Sequence, residues 1–245
     1  MTYRLTIENT QIRDRQITLT PAQQHYLLRV LRLKTGDRFI AMNGLGQAWS
    51  AEIRETSANI IEPLDIDNEL SQSITSIAAL PKGSGYEQIV RCCTELGVNN
   101  FIPVISDRTI LKPSPNKVQR WRKIAAEAAE QSERQIVPYI ATPVSWQEAL
   151  NNTADLSQKF LCVARGDKPS LAKCLQEVSE GEIVIATGCE GGWTEAEIEL
   201  AISFGYRQVS LGKRILRAVT APITALAIAG AILEQNNWGT FKLDP

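Results

Sequence analysis

The 245-residue chain carries 26 Lys+Arg, 27 Asp+Glu, one histidine and five cysteines, with 44% hydrophobic and 22% charged residues. These proportions exclude a disordered polymer or a fibre, and the length accommodates one large domain or two smaller ones. The net charge of −1 does not exclude a polyanionic partner, because charge is segregated along the chain. Residues 1–40 hold seven basic against three acidic side chains, and 41–70 hold one against six. Residues 71–135 hold nine against six, 136–206 four against ten, and 207–245 five against two. Ordinary solvated faces are the alternative reading of the same pattern.

Residues 1–70 read as a small β-rich module around one helix. Thr20-Pro21 supplies a cap and a first-turn proline. AQQHYLLRVLRL then places Leu27, Val30 and Leu31 on one apolar face, with Arg29 and Arg32 elsewhere. Lys34-Thr35-Gly36-Asp37 is a turn, and RFIAM and QAWSAEI are expected strands around Asn43-Gly44. The acidic stretch Glu62–Glu69, with Pro63, reads as a linker.

From residue 74 strands and helices alternate. ITSIAAL is an expected strand, Tyr86–Leu96 a helix closed by Gly97, and FIPVI a second strand. Ser114-Pro115 opens a helix with Trp121, Ile124, Ala125 and Ala128 inward and Arg120, Arg122, Lys123 and Glu127 outward. FLCVA, EIVIAT and RQVSL are further strands, and Thr194 with Glu197 forms a capping box for a helix ended by Gly205. Near-continuously apolar strands alternating with helices predict a mainly parallel sheet in an α/β domain over 71–245. AVTAPITALAIAGAIL, residues 218–233, is too short and alanine-rich for a membrane span and reads as a buried helix.

The N-terminal MTYRLTIENTQIRDRQ lacks an apolar segment, so no signal peptide is expected, and the protein is expected in the cytoplasm. Cys92, Cys93, Cys162, Cys174 and Cys189 form no C-x-x-C pair and are expected to be mostly buried thiols. His25 is the only histidine, which leaves little material for a metal centre, a Ser-His-Asp triad or a Cys-His dyad. A structural or stacking role suits His25 better than catalysis.

Three loops follow expected strands: Ala164-Arg165-Gly166-Asp167, Thr187-Gly188-Cys189-Glu190-Gly191-Gly192 and Leu211-Gly212-Lys213-Arg214. Ligands of open α/β sheets bind beyond the carboxyl ends of strands, so these loops are the expected site, with tight strand-to-helix connections as the bland alternative. Neither G-x-G-x-x-G nor G-x-x-x-x-G-K-[ST] occurs, which disfavours a dinucleotide, a triphosphate and a Rossmann-type methyltransferase.

TGCEGGWTEAEIELAISFGYRQVSLGKRILRAVTA resembles the C-terminal signature of the RsmE family, the small-subunit ribosomal RNA uridine-N3 methyltransferases of the SPOUT superfamily. That family shows G-P-E-G-G-[FW], a helix, and L-G-x-R-I-L-R-x-E-T-A. Upstream, LPKGSGYEQIVRCCTELGVNNFIPVISDRT, RWRKIAAEAAEQSERQIVP and HYLLRVLRLKTGD resemble further family segments in the same order. The resemblance implies a PUA-like RNA-binding β-barrel over 1–70 and a SPOUT-type α/β domain with a deep trefoil knot over 71–245. It also implies a homodimer that uses S-adenosyl-L-methionine to methylate N3 of a uridine in 16S ribosomal RNA; the histidine and cysteine inventory adds the expectation of no metal.

Carried over by motif, the cofactor residues are Gly188, Gly191, Gly192, Leu211, Gly212, Ile215 and Leu216. Arg214 and Arg217 are candidates to stabilise an anionic uracil or to contact phosphate, against a solvated pair. Glu190 is the nearest carboxylate, for proton handling or for bracing its loop. Arg4, Arg29, Arg32 and Arg134 are candidate RNA contacts. The chain departs from the family at Cys189 (proline), Ala218 and Val219 (threonine and glutamate) and Cys92 (lysine). Ala218 and Val219 favour a rival, a non-catalytic RNA-binding or ribosome-assembly factor that retains the fold; a second rival is a knotted methyltransferase acting on another RNA.

Overall fold

The computed structural model describes residues 3–66 and 68–235, so the last part of the basic segment 207–245 lies outside the described residues. The chain divides into two compact units, Met1–Glu69 with Ala126–Val137 and Leu70–Ala125 with Pro138–Pro245. A boundary drawn along the chain at residue 70 leaves 126–137 with the second unit; their contacts put them with the first.

The first unit is built on β1 (Arg4–Thr6), β2 (Ile12–Arg13), β3 (Gln16–Thr18), β4 (Arg38–Met42), β5 (Ala48–Arg54) and β6 (Ser57–Leu64). They form one sheet in the order β1-β4-β5-β6-β3-β2, parallel at β1/β4 and antiparallel elsewhere. The β5/β6 register slips between Ser50 and Ala51, leaving Ile61 as the extra residue on β6. On the regular strand β5, Ala51 is buried with Phe39 and Ile53 on one face, while Ala48 is buried with Met42 on the other. Leu5, Ile17, Leu27, Phe39 and Ile53 are buried in its core. β6 runs through Glu62 and Pro63 to Leu64, Pro63 lying opposite Trp49, so the first half of the expected linker is strand.

Thr20 caps the helix as expected. Its Oγ1 accepts from the Gln23 N–H and the Gln23 side chain accepts from the Thr20 N–H. The α-helical turn α1 (Pro21–Gln24) then widens into a π-helix over His25–Val30, where the Leu31 N–H donates to the Tyr26 carbonyl five residues back at 2.9 Å. The wider turn breaks the 3.6-residue period. Leu27 is fully buried and Leu31 half-buried, but Val30 stands 56% exposed, against the expected apolar face.

Glu69 closes the unit from the other side of that linker. One carboxylate oxygen accepts from Arg134 Nη2 at 2.7 Å and Nε at 3.0 Å; the other accepts from the Gln135 and Ile136 N–H groups. The Arg134 side chain is only 3% exposed.

Among the described residues the second unit holds seven strands, all paired in parallel: β7 (Ile74–Ala79), β8 (Asn100–Ile105), β9 (Tyr139–Ile140), β10 (Val144–Ser145), β11 (Gln158–Cys162), β12 (Ile183–Thr187) and β13 (Arg207–Val209). The order is β10-β8-β7-β12-β11-β13, with β9 beside β8. β7 and β12 are buried along their whole length, as parallel strands covered on both faces require. The helices are α2 (Gly85–Glu95), α3 (Pro115–Gln131, whose last turns belong to the first unit), α4 (Trp146–Asn152), α5 (Leu171–Gln176), α6 (Glu195–Ser203) and α7 (Thr220–Glu234). Trp121 on α3 is buried against Tyr86 on α2, ring centroids 4.4 Å apart. α7 buries Ala225, Leu226, Ala229 and Leu233, and no described helix is long and apolar enough to cross a membrane.

Removing Arg134 leaves the Glu69 carboxylate without its cation. Arg134→Ala is therefore expected to lower the unfolding free energy of the first unit by about 3 kcal/mol, read from urea unfolding.

Candidate functional site

The sheet order determines where the glycine loops meet. β12, β11 and β13 are neighbours, and Leu161 lies beside Ala186 while Cys162 lies beside Val209. Because all three run the same way, the loops that follow them emerge at one edge. There they enclose a cavity of about 580 Å³. The chain also changes direction here. After laying β8 and β10 to one side of β7 it returns to place β12 between β7 and β11, a switch in strand order of the kind that opens a crevice.

All seven residues assigned to the cofactor by motif (Gly188, Gly191, Gly192, Leu211, Gly212, Ile215 and Leu216) line this cavity. Arg214 and Glu190 line it too; Arg217 does not. The Arg217 side chain is exposed, and its carbonyl accepts from the Thr220 and Ala221 N–H groups at the start of α7. Glu190 accepts from the Lys82 N–H at 3.0 Å, which braces the loop. Cys162 and Ala218 also face the cavity, as do Arg108 and Trp193, which the sequence reading did not single out.

The glycines have separate reasons. A Cβ on Gly188 would come within 3.2 Å of the Gly192 backbone, and one on Gly191 within 2.9 Å of Arg108 Cδ. Gly192 and Gly212 have φ of +66° and +119° with open space at the Cβ position, so their bare backbone borders the cavity. The Gly192 N–H donates to the Cys189 carbonyl at 2.9 Å, closing the turn. Trp193 stacks on Trp146 at 4.3 Å, and Trp146 Nε1 donates to the Glu197 carbonyl. Thr187 Oγ1, buried at the wall, has no hydrogen-bond partner. Val219, where the family carries glutamate, packs against Gly85 at the start of α2.

Of the expected RNA contacts, Arg29 and Arg32 are exposed in the first unit. Arg4 is held by both carboxylate oxygens of Glu133 at 2.8 Å. Arg134 departs from expectation: its guanidinium is buried against Glu69 and braces the fold instead of facing solvent. All five cysteines are free thiols, four of them buried, and the described residues hold no cluster of His, Cys, Asp or Glu that could bind a metal.

A model described as an RNA methyltransferase domain matches residues 68–230, and one described as an RNA methyltransferase PUA domain matches 19–62. The ribosomal RNA small subunit methyltransferase E of a Synechocystis strain is 48% identical over 96% of this chain and 79% of its own. The chain belongs to the ribosomal RNA small subunit methyltransferase E family. Among solved structures, a methyltransferase E from Neisseria gonorrhoeae bound to S-adenosyl methionine superposes with a TM-score of 0.82 at 31% identity, covering 98% of this chain and 100% of that one. A putative methyltransferase from Legionella pneumophila with bound SAM gives 0.83 at 25% identity over 94% and 98%. Methyltransferase E relatives thus share the PUA-like first unit and the parallel α/β second unit.

Burial pushes the Cys162 thiol at the cavity wall, and the Tyr206 hydroxyl bonded to Thr153, up to about 12. Both groups keep their protons in the fold at pH values where the unfolded chain releases them. Their contribution is fully present below the ordinary values of 9.0 and 10.0 and is lost as pH rises toward 12. The urea midpoint is expected to fall steadily above pH 9, and Cys162→Ala to flatten part of that fall.

Proposed function

We propose that the protein transfers a methyl group from S-adenosyl-L-methionine to N3 of a uridine in 16S ribosomal RNA. The observation that carries this reading is the cavity at the carboxyl edge of β12, β11 and β13, walled by every residue that the family motif assigns to the cofactor. The residues fit the group. Gly192 and Gly212 leave a cradle that side chains would fill, and Leu211, Ile215 and Leu216 offer apolar walls for adenine without a charged clamp. When bound, the cofactor supplies an already activated methyl, so the protein's task is alignment and charge.

Transfer requires uridine to lose its N3 proton, which leaves negative charge on the uracil ring. Arg214, exposed on the cavity wall with no carboxylate partner among the described residues, is placed to stabilise that charge. Glu190 and Glu195 are carboxylates at the wall, and Glu190, within the family's glycine-rich motif, is the one assigned the proton. Arg217, outside the cavity, serves the RNA side, and Arg29 and Arg32 in the PUA-like unit provide phosphate contacts. The same reading includes the trefoil knot, a homodimer, the small ribosomal subunit as partner and a cytoplasmic location. In this reading the RNA-binding module is 1–70 and the catalytic module 71–245 along the chain, although residues 126–137 pack with the first unit.

Val219 and Ala218 favour one rival, an RNA-binding or assembly factor that keeps the fold without turnover. Calorimetry separates the two: the wild-type protein is expected to bind S-adenosyl-L-methionine, and no binding by folded protein overturns the enzyme reading. Mass mapping of 16S ribosomal RNA from a deletion strain tests the target, where loss of one N3-methyluridine is expected. An unchanged level assigns the activity to another RNA.

Two substitutions resolve the roles. Gly188→Ala, which drives a methyl into the Gly192 backbone, is expected to weaken cofactor binding about tenfold or more. Arg217→Ala is expected to lower turnover far more than cofactor affinity; equal losses would assign Arg217 to the cofactor.

A further inference from the structure

We propose that Arg108 is a positioning residue for the cofactor loop. Its guanidinium pins the carbonyls of Gly191 and Trp193 and holds residues 188–193 in the form that receives the cofactor. The inference rests on the reading of the cavity as an S-adenosyl-L-methionine site and adds to it the end of a fourth strand.

β8 pairs with β7, and β7 with β12, all in parallel, so the turn after β8 emerges at the same edge as the glycine loops. That turn, Ser106–Thr109, is tied internally: the Ser106 N–H donates to Thr109 Oγ1 at 3.1 Å and the Thr109 N–H to the Ser106 carbonyl at 2.9 Å. Three successive residues then reach across to the glycine loop and its helix. Ser106 Oγ donates to Cys189 Sγ at 3.8 Å. The Asp107 N–H donates to Glu197 Oε1 at 2.9 Å, while Asp107 Oδ2 accepts from Thr194 Oγ1 at 3.0 Å. Arg108 Nη1 donates to the Gly191 carbonyl at 2.6 Å and to the Trp193 carbonyl at 3.2 Å.

Glu197 is 4% exposed, and its carboxylate is fully engaged, since Oε2 also accepts from the Thr194 N–H at 2.8 Å. Helix α6 is thereby anchored to the turn, and Arg108 carries the connection onward to the loop backbone, beside the weaker Ser106–Cys189 side-chain contact. The carbonyls of Gly191 and Trp193 have no strand partner, so a charged donor that holds both fixes the Gly191–Gly192 and Trp193–Thr194 peptide planes, which bracket Gly192 and Trp193. Gly191 makes the approach possible: a Cβ there would lie 2.9 Å from Arg108 Cδ and 3.1 Å from its Cβ. Arg108 itself lines the cavity. Both bonds come from the one Nη1, whose two N–H directions the planar guanidinium fixes, whereas a rotating lysine ammonium fixes neither.

The test is calorimetric binding of S-adenosyl-L-methionine to full-length wild type, Arg108→Ala, Arg108→Lys, Gly191→Ala and the Arg108→Ala/Gly191→Ala pair. Urea midpoints and cofactor KM and kcat are measured alongside. Arg108→Ala is expected to weaken binding and raise the cofactor KM about tenfold or more, with kcat at saturating cofactor within about twofold of wild type. Arg108→Lys recovers part of the affinity. Gly191→Ala reproduces the loss, and the double variant is no worse than Arg108→Ala, because both remove one contact.

Unchanged cofactor affinity in Arg108→Ala overturns the inference, as does a lowered urea midpoint with unchanged affinity. If Arg108→Ala does not fold, Arg108→Lys decides by the same readings. A folded wild type that binds no cofactor overturns the reading of the cavity, and this inference with it.

Discussion

Parallel pairing of β11, β12 and β13 is the constraint on which the site depends. Parallel neighbours deliver their carboxyl ends to one edge, so three loops separated by some fifty residues of sequence are brought together by backbone hydrogen bonds alone. Antiparallel placement of any one of them would carry its loop to the opposite edge and open the cavity. The apolar composition of these strands follows from the same requirement, since a parallel sheet is covered on both faces. Fold and site therefore share one cause.

On that frame the loops are shaped by small residues and by carbonyl anchoring. Gly188 and Gly191 are confined by close neighbours, whereas Gly192 and Gly212 are demanded by backbone angle. The two reasons act differently: the first kind permits contact inside the protein, and the second leaves space beside the backbone for a ligand. Charges around the cavity divide in the same way. Glu197 and Asp107 are consumed by the fold and Glu190 braces its loop through the Lys82 N–H, while Arg165, Lys168, Glu195 and Arg214 line the cavity beside whatever enters.

The first unit shows how a surface charge is withdrawn by pairing. Arg4 and Arg134 have the chemistry of phosphate contacts, but Glu133 and Glu69 occupy their guanidinium groups. Exposed Arg29 and Arg32 retain that chemistry. Charge counted along a segment is thus an upper bound on the charge presented at a surface.

Much of the fold was legible in local pattern. The apolar runs became β7, β8, β11 and β12, Thr194 and Glu197 formed their capping box, and Gly97 and Gly205 took the positive φ of helix ends. These are nearest-neighbour effects, and a one-dimensional string records them. That seven residues share one cavity was legible through family motif, since glycine-rich loops carry their constraint in their own residues. Tertiary structure alone decided the rest. Val30 turned outward because the helix widened into a π-turn, and Pro63 joined a strand because Trp49 lay opposite. Arg134 was buried because a carboxylate sixty-five residues away reached it. Arg108 entered the site because β8 lies two strands from β12 in the same sheet. Each of these depends on a partner distant in sequence, and residue type by itself holds no record of which partner that is.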